Sequence, residues 1–246
     1  MRRILLTIQY LGKNYNGFQI QLKEPNRTVQ GLLEVALEQV LGEKTKIFSS
    51  GRLDKGVHAN ALKAHFDTEK AVASHKLCMS INHFLPEDIS VISAEEVDLK
   101  FHARYSVKRK TYQYAMYVSP LRLPLLDQCF KQLYKQPDIT LMREASKYLL
   151  GEHNFASFMS KKSGVKNTIR TIEKLEIQEQ DNQILITVSG NGFLYNMVRI
   201  MVGTLLNVGY QKLKPEEIKT ILESESRQKA SKMVEANGLT LLHVEY

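Results

Sequence analysis

Residues 28–42, TVQGLLEVALEQVLG, decide how the start of the chain is read. Val29, Leu32, Leu33, Ala36, Leu37, Val40 and Leu41 recur at helical spacing, so one face of this segment is apolar and is expected to be core. Thr28 can cap the helix at its start, and Gly42 stops it. Ahead of it, Ile4, Leu6 and Ile8 alternate with other residues at the period of a strand, and Gly12 to Gly17 supplies turn chemistry. After it come a short apolar piece around Ile47, the glycine-containing stretch Ser49 to His58, and a strand expected over Ala61 to Asp67. The chain therefore begins β-α-β.

The second half echoes the first. Lys108-Arg109-Lys110 precedes the alternating Tyr112, Tyr114, Met116 and Val118, as Arg2-Arg3 precedes the opening strand. Thr140 to Leu150 reads as a helix closed by Gly151, and Ile172–Ile177 with Ile184–Val188 as a hairpin turning at Asp181-Asn182. Leu194 to Val208 reads as a strongly apolar helix, Pro215 opens another over Glu216 to Glu223, and Leu239 to Tyr246 reads as a last strand. Strands and helices mix in both halves, with a seam near residues 100–107.

Thirty-four Lys+Arg against 26 Asp+Glu give a formal charge of +8, a balance that suits nucleic acid or an anionic membrane surface. Cys78 and Cys129 stand far apart with no C-x-x-C spacing, which fits a reducing compartment. The opening MRRILLTIQY has too short an apolar run for a signal peptide, and Phe193 to Leu206 is interrupted by Asn196 and Arg199. A cytoplasmic protein with no membrane span is expected.

Four features carry possible chemistry. Ser49 to Ala59 places Arg52, Asp54, Lys55 and His58 in a loop bracketed by glycines, suited either to close approach by a ligand or to an ordinary surface turn. Arg199 is the one charge in Phe193–Leu206. A guanidinium in so apolar a helix must face a carboxylate, a phosphate or a water-lined cleft; Asp54 is a candidate anion, another acid or a solvent-reaching head the alternative. The basic clusters Arg2-Arg3, Lys108–Lys110 and Lys161-Lys162 to Arg170 interleave with Tyr105, Tyr112, Tyr114, Tyr117, Phe155 and Phe158, which suits phosphates and stacked bases or else a solvated face beside core aromatics. His58 has no partner at metal-ligand spacing among His65, His75, His83, His102, His153 or Cys78, and P-loop, G-x-G-x-x-G, H-E-x-x-H and nucleophile-elbow motifs are absent.

Gly51–Ala59 (GRLDKGVHA), Phe101–Arg104 (FHAR), Lys110–Tyr114 (KTYQY), Asn191–Gly203 (NGFLYNMVRIMVG) and Gly238–Tyr246 (GLTLLHVEY) together resemble, in order along the chain, the motifs of the tRNA pseudouridine synthase A family. The resemblance implies an α+β architecture of two ferredoxin-like halves, 1–104 and 105–246, whose mixed, mainly antiparallel sheets meet around a central catalytic cleft. It implies that Asp54 is catalytic, that Arg52 helps open the RNA stem, that Tyr112 stacks on the target uracil and that Arg199 orients Asp54. It also implies action on uridines 38–40 of the tRNA anticodon arm, as a homodimer and without cofactor or metal. Leu53 departs from the threonine usual in the family, and Lys55 from the frequent alanine. The competing readings are a non-catalytic RNA-binding paralogue and a synthase acting on another RNA.

Overall fold

The computed structural model describes all residues except 22, 23, 25, 26, 72 and 161–164, with no side-chain description at 74 and 75. It divides into two compact units, one of Met1–Lys108 with Leu241–Tyr246 and one of Arg109–Thr240. A single division at 104/105 is what the sequence leads one to expect; here the last residues return to the first unit.

The first unit runs β1 (Arg2–Tyr10), α1 (Val29–Leu41), β2 (Phe48–Ser49), β3 (His58–Thr68), α2 (Ser74–His83) and β4 (Ile89–Val97). Thr28 Oγ1 accepts the Gly31 N–H, and Gly42 closes α1 at φ +72°. β1 lies between β4 and β3, with β2 on the far side of β3, and every pair is antiparallel. That order, β4-β1-β3-β2 on a β-α-β-β-α-β chain, is the ferredoxin-like split arrangement. The register sets Ile4 beside Phe66, Leu6 beside Ala64 and Ile8 beside Leu62, all of them buried. Each such large side chain contributes roughly 1.5–3 kcal/mol by leaving water. α2 and β4 are absent from the sequence reading, because SHKLCMSINH and ISVISAEEV show weak apolar periodicity.

The second unit runs β5 (Arg109–Val118), β6 (Lys131–Leu133), α3 (Ile139–Ser146), β7 (Gly151–Asn154), β8 (Ile169–Gln180), β9 (Gln183–Gly190), α4 (Met197–Gly209) and α5 (Glu217–Glu223). The final strand, β10 (Leu239–Glu245), belongs to the first unit from Leu241 onward. β5, β9, β8 and β7 pair antiparallel in that order, and β6 joins β5 in parallel, so the class is α+β with a mixed sheet. The β8–β9 turn sits where Asp181-Asn182 places it, with both residues at positive φ as a type I′ hairpin requires. Two expected helices are shorter than their apolar runs. Thr140–Leu150 tightens into a 3₁₀ turn at Lys147–Leu149, which engages terminal carbonyls, and Leu194–Val208 starts only at Met197 because Asn196 is left-handed at φ +61°.

On the face of the first sheet that carries Arg3, Leu5, Thr7, Lys63, His65 and Asp67, the Arg3 guanidinium is taken up by partners within the unit. Arg3 forms a two-pronged bridge to Asp67, with both N–O distances 2.7 Å, and Nη1 donates to the carbonyls of Leu99 and Phe101 at 2.6 Å each. Arg2 pairs with Glu96. These cations organise the sheet and the loop that crosses it.

His65, buried on the same face, accepts the Ala103 N–H at Nδ1 (3.1 Å). Burial, with Arg3 and then His102 adding, pulls its pKa down to about 4. Because the folded value lies below the unfolded one of about 6.5, the unfolded chain binds the extra proton first. The stabilisation is present above pH 6.5 and is lost as pH falls towards 4. Urea unfolding at pH 7 and 4.5 checks this: His65→Asn, whose Oδ1 can replace the Nδ1 acceptor, should remove that part of the slope, and an unchanged slope would place the acid sensitivity elsewhere.

Candidate active site

The Asp54 loop leaves Ser50, whose N–H donates to the Lys63 carbonyl at 2.7 Å, and returns to β3 at His58. The side chains of Leu53 and Val57 are buried and anchor it, whereas Arg52 and Lys55 are exposed and Asp54 is half-buried. The Val57 N–H closes onto the Asp54 carbonyl at 3.1 Å, with Gly56 at φ +81° in the turn. Leu53, where the family usually has threonine, is thus a packing residue that leaves the turn intact.

A second segment braces this loop from behind. The Gly12 N–H donates to Nδ1 of the buried His58 at 3.0 Å, and the Phe18 N–H to the Leu53 carbonyl at 3.0 Å. The carbonyls of Gly17 and Phe18 accept from Val29 and Gln30, so the first turn of α1, which has orphan donors, holds the brace. Asp88 pins the other end through Tyr15 Oη, Asn14 Nδ2 and the Leu11 N–H. Sequence reasoning identified the glycines as turn residues but not their joint work with His58, because no local pattern pairs residue 12 with residue 58.

In the second unit Tyr112 lies on β5 opposite Val188, 8% exposed and edge-on to Phe193 with ring centroids 5.1 Å apart. Tyr114 and Tyr117, like Phe155 and Phe158, are core residues, so the stacking role considered for these four is corrected: they are closed to a base. Arg109 pairs with Glu173, and Lys161 and Lys162 lie outside the described residues.

Arg199 projects from α4 and is half-buried. Its Nε donates to the Val234 carbonyl at 2.8 Å and its Nη1 to Asn196 Oδ1 at 3.0 Å, while the Val234 N–H returns to the Arg199 carbonyl at 3.2 Å. The 231–234 segment lies close along α4, for a Cβ on Gly203 would stand 2.1 Å from the Lys232 carbonyl oxygen. Next along, the Glu235 carbonyl accepts from Tyr114 Oη at 2.8 Å. Neutral acceptors in its own unit thus engage part of the guanidinium fork, and Asn196, Gly203 and Val234 join the residues that fix its aim. Asn196 could have been suspected as a residue tolerant of left-handed backbone; Val234 carries no sequence signal.

Arg52 and Asp54 therefore share one loop of the first unit, and Tyr112 and Arg199 lie in the second. The profile of a family described as tRNA pseudouridine synthase matches residues 6–106 and 145–246. A tRNA pseudouridine synthase A of Clostridium botulinum (strain Alaska E43 / Type E3) is 44% identical over 246 residues, covering 100% of both chains. One of Caldicellulosiruptor saccharolyticus is 42% identical over 247 residues, again with 100% of both covered. A solved Cbf5-Nop10-Gar1 complex aligns with 97% of this chain and 48% of its own at 12% identity and a TM-score of 0.37. On the profile and the full-length relatives, the chain belongs to the tRNA pseudouridine synthase family.

Proposed function

We propose that this protein isomerises uridine to pseudouridine in tRNA, at positions 38–40 of the anticodon arm, with Asp54 as the catalytic group. The observation that carries the reading is a carboxylate held half-buried on a turn whose backbone is braced from two sides, within a chain matching its relatives end to end. Such a turn, fixed by main-chain hydrogen bonds and by the buried Leu53 and Val57, holds the residue that carries the carboxylate in place.

The reaction breaks the bond from uracil N1 to C1′ of the ribose, turns the base, and joins C5 to C1′. N1 ends with a proton and C5 loses one, so no redox partner, metal or cofactor is consumed. A carboxylate can act as nucleophile at the sugar or the uracil, or as base at the sugar. Arg52 would help open the stem, Tyr112 would stack on the uracil, and Arg199, aimed by Val234 and Asn196, would orient Asp54. Removing a base from its stack costs a few kcal/mol, which phosphate contacts and stacking offset. The family resemblance further supports a homodimer. Among the described residues no helix is long and apolar enough to cross a membrane.

Chemical mapping of pseudouridine on tRNA treated with the purified protein tests the reading. Modification at 38–40 is expected; modification confined to other RNAs would replace the substrate, and none on any RNA would leave the non-catalytic reading. The net charge of +8 also predicts salt-sensitive binding. For about six phosphate contacts, affinity should fall on the order of 10³-fold between 50 and 200 mM salt. A flat response in a filter-binding titration would refute the electrostatic contribution.

A further inference from the structure

Outside the Asp54 loop, the first unit carries a strip of rings with a cation at each end. Lys46 Nζ lies 5.5 Å over the Phe48 ring, and Phe48, on β2, stacks on His65 at 5.3 Å with the planes 20° apart. His102 lies 4.8 Å from His65 and 5.9 Å from Phe48. Tyr105 lies against His102 at 4.4 Å, and the Arg104 guanidinium is 5.8 Å from the Tyr105 ring. The outer rings are open to solvent, Phe48 at 40% and Tyr105 at 77% exposure.

The loop presenting them is firmly built. The carbonyls of Leu99 and Phe101 accept from Arg3, the Ala103 N–H is held by His65, and the Ala103 carbonyl accepts from Tyr246 Oη at 2.9 Å. His102 closes the turn twice, its Nδ1 accepting the Arg104 N–H and its own N–H donating to Ser106 Oγ, both at 3.1 Å. Of the nearby carboxylates, Asp67 is engaged by Arg3 and Asp98 by the Lys100 N–H. A fixed loop that leaves a tyrosine in water has already met the ordering cost of using it as a contact.

We propose that the Lys46–Phe48–His102–Tyr105–Arg104 strip is a stacking platform for unpaired RNA bases outside the reacting nucleotide, with the terminal cations on the flanking phosphates. Flat aromatic faces take bases with little regard to sequence, and the two cations select a polyanion over a cationic ligand. This rests on the reading of the chain as an RNA-modifying protein. It adds a contact on the strand that leads into the Asp54 loop, so the platform would hold nucleotides beside the one that reacts.

The test is the affinity of the full chain for an anticodon stem-loop carrying 2-aminopurine in its loop, whose fluorescence is quenched by stacking. Tyr105→Ala should weaken binding by about 5- to 150-fold and relieve quenching. Tyr105→Phe, which keeps the ring, should bind as the wild type does, and Tyr134→Ala, removing a similarly exposed tyrosine (76%) from the other unit, should change nothing. Phe48→Ala should weaken binding in the same way, and thermal unfolding checks that each variant is folded. Folded Tyr105→Ala and Phe48→Ala variants that bind within twofold of wild type would overturn the platform, whether or not the wild type is active. A wild type that makes no pseudouridine but binds RNA in a Tyr105-dependent way would overturn the isomerase reading and support the platform.

Discussion

Replacing Asp54 by asparagine is expected to abolish turnover, with release of tritium from C5-labelled uridine in tRNA falling by at least about 10³-fold, while the variant still folds and binds tRNA. The exchange is nearly isosteric, and the turn is held by the Asp54 backbone carbonyl, the buried Leu53 and Val57 side chains and the brace at Gly12 and Phe18. What disappears is the anionic oxygen, and a neutral amide is neither a useful nucleophile nor a base. Single-turnover release measured beside a binding titration separates chemistry from affinity. Turnover within tenfold of wild type would move the chemistry to another group; loss of binding together with turnover would show that the carboxylate supports the loop's structure.

The brace behind the loop should be nearly as sensitive, although it brings no reactive group. A Cβ at Gly12 would stand 2.0 Å from the Val57 carbonyl oxygen, and one at Gly17 would stand 2.6 Å from the Leu53 oxygen on a backbone already at φ +96°. Both obstacles are main chain of the Asp54 loop, so no side-chain rotation relieves them and the loop itself must shift. Gly17→Ala combines overpacking with left-handed strain, an expected cost of about 2–4 kcal/mol. A displacement near 1 Å at the carboxylate should cost on the order of 10²-fold in turnover. Gly42→Ala is the comparison, since that position is also left-handed but has nothing within 4 Å, so it should lose only about 1 kcal/mol and keep its turnover. Thermal unfolding with initial rates for the three proteins decides the matter. If Gly17→Ala behaves like Gly42→Ala, the brace does not position the loop.

Much of the fold was legible where one local signal sufficed. The apolar stripe from Val29 to Leu41 became α1 with the cap and stop expected of it, and Asp181-Asn182 became a turn with both residues at positive φ. The segment from Ser74 to Val97 was not legible, since its helix and strand carry few apolar residues in phase. Tyrosines show the limit most clearly. Tyr105, Tyr112, Tyr114 and Tyr117 look alike in a basic, aromatic stretch, yet one is open to solvent and the other three are buried. Strand alternation alone could not say so, because Tyr114 and Tyr117 lie on opposite faces of β5 and both faces are covered there.

The sequence by itself determined the opening β-α-β order and the basic balance, and it marked Asp54, Arg52, Tyr112 and Arg199 as candidates through motifs that lie in order along the chain. Only the tertiary structure decided what holds them. Arg3 reaches a carbonyl 98 residues away, Gly12 a histidine 46 away, and Arg199 a carbonyl 35 away. Periodicity reports which face of an element is apolar, but a hydrogen bond to a distant main-chain carbonyl depends on which segments packing brings together. A carbonyl looks the same whatever residue carries it, so the main-chain partners of Arg3 and Arg199 leave no mark in the order of the amino acids.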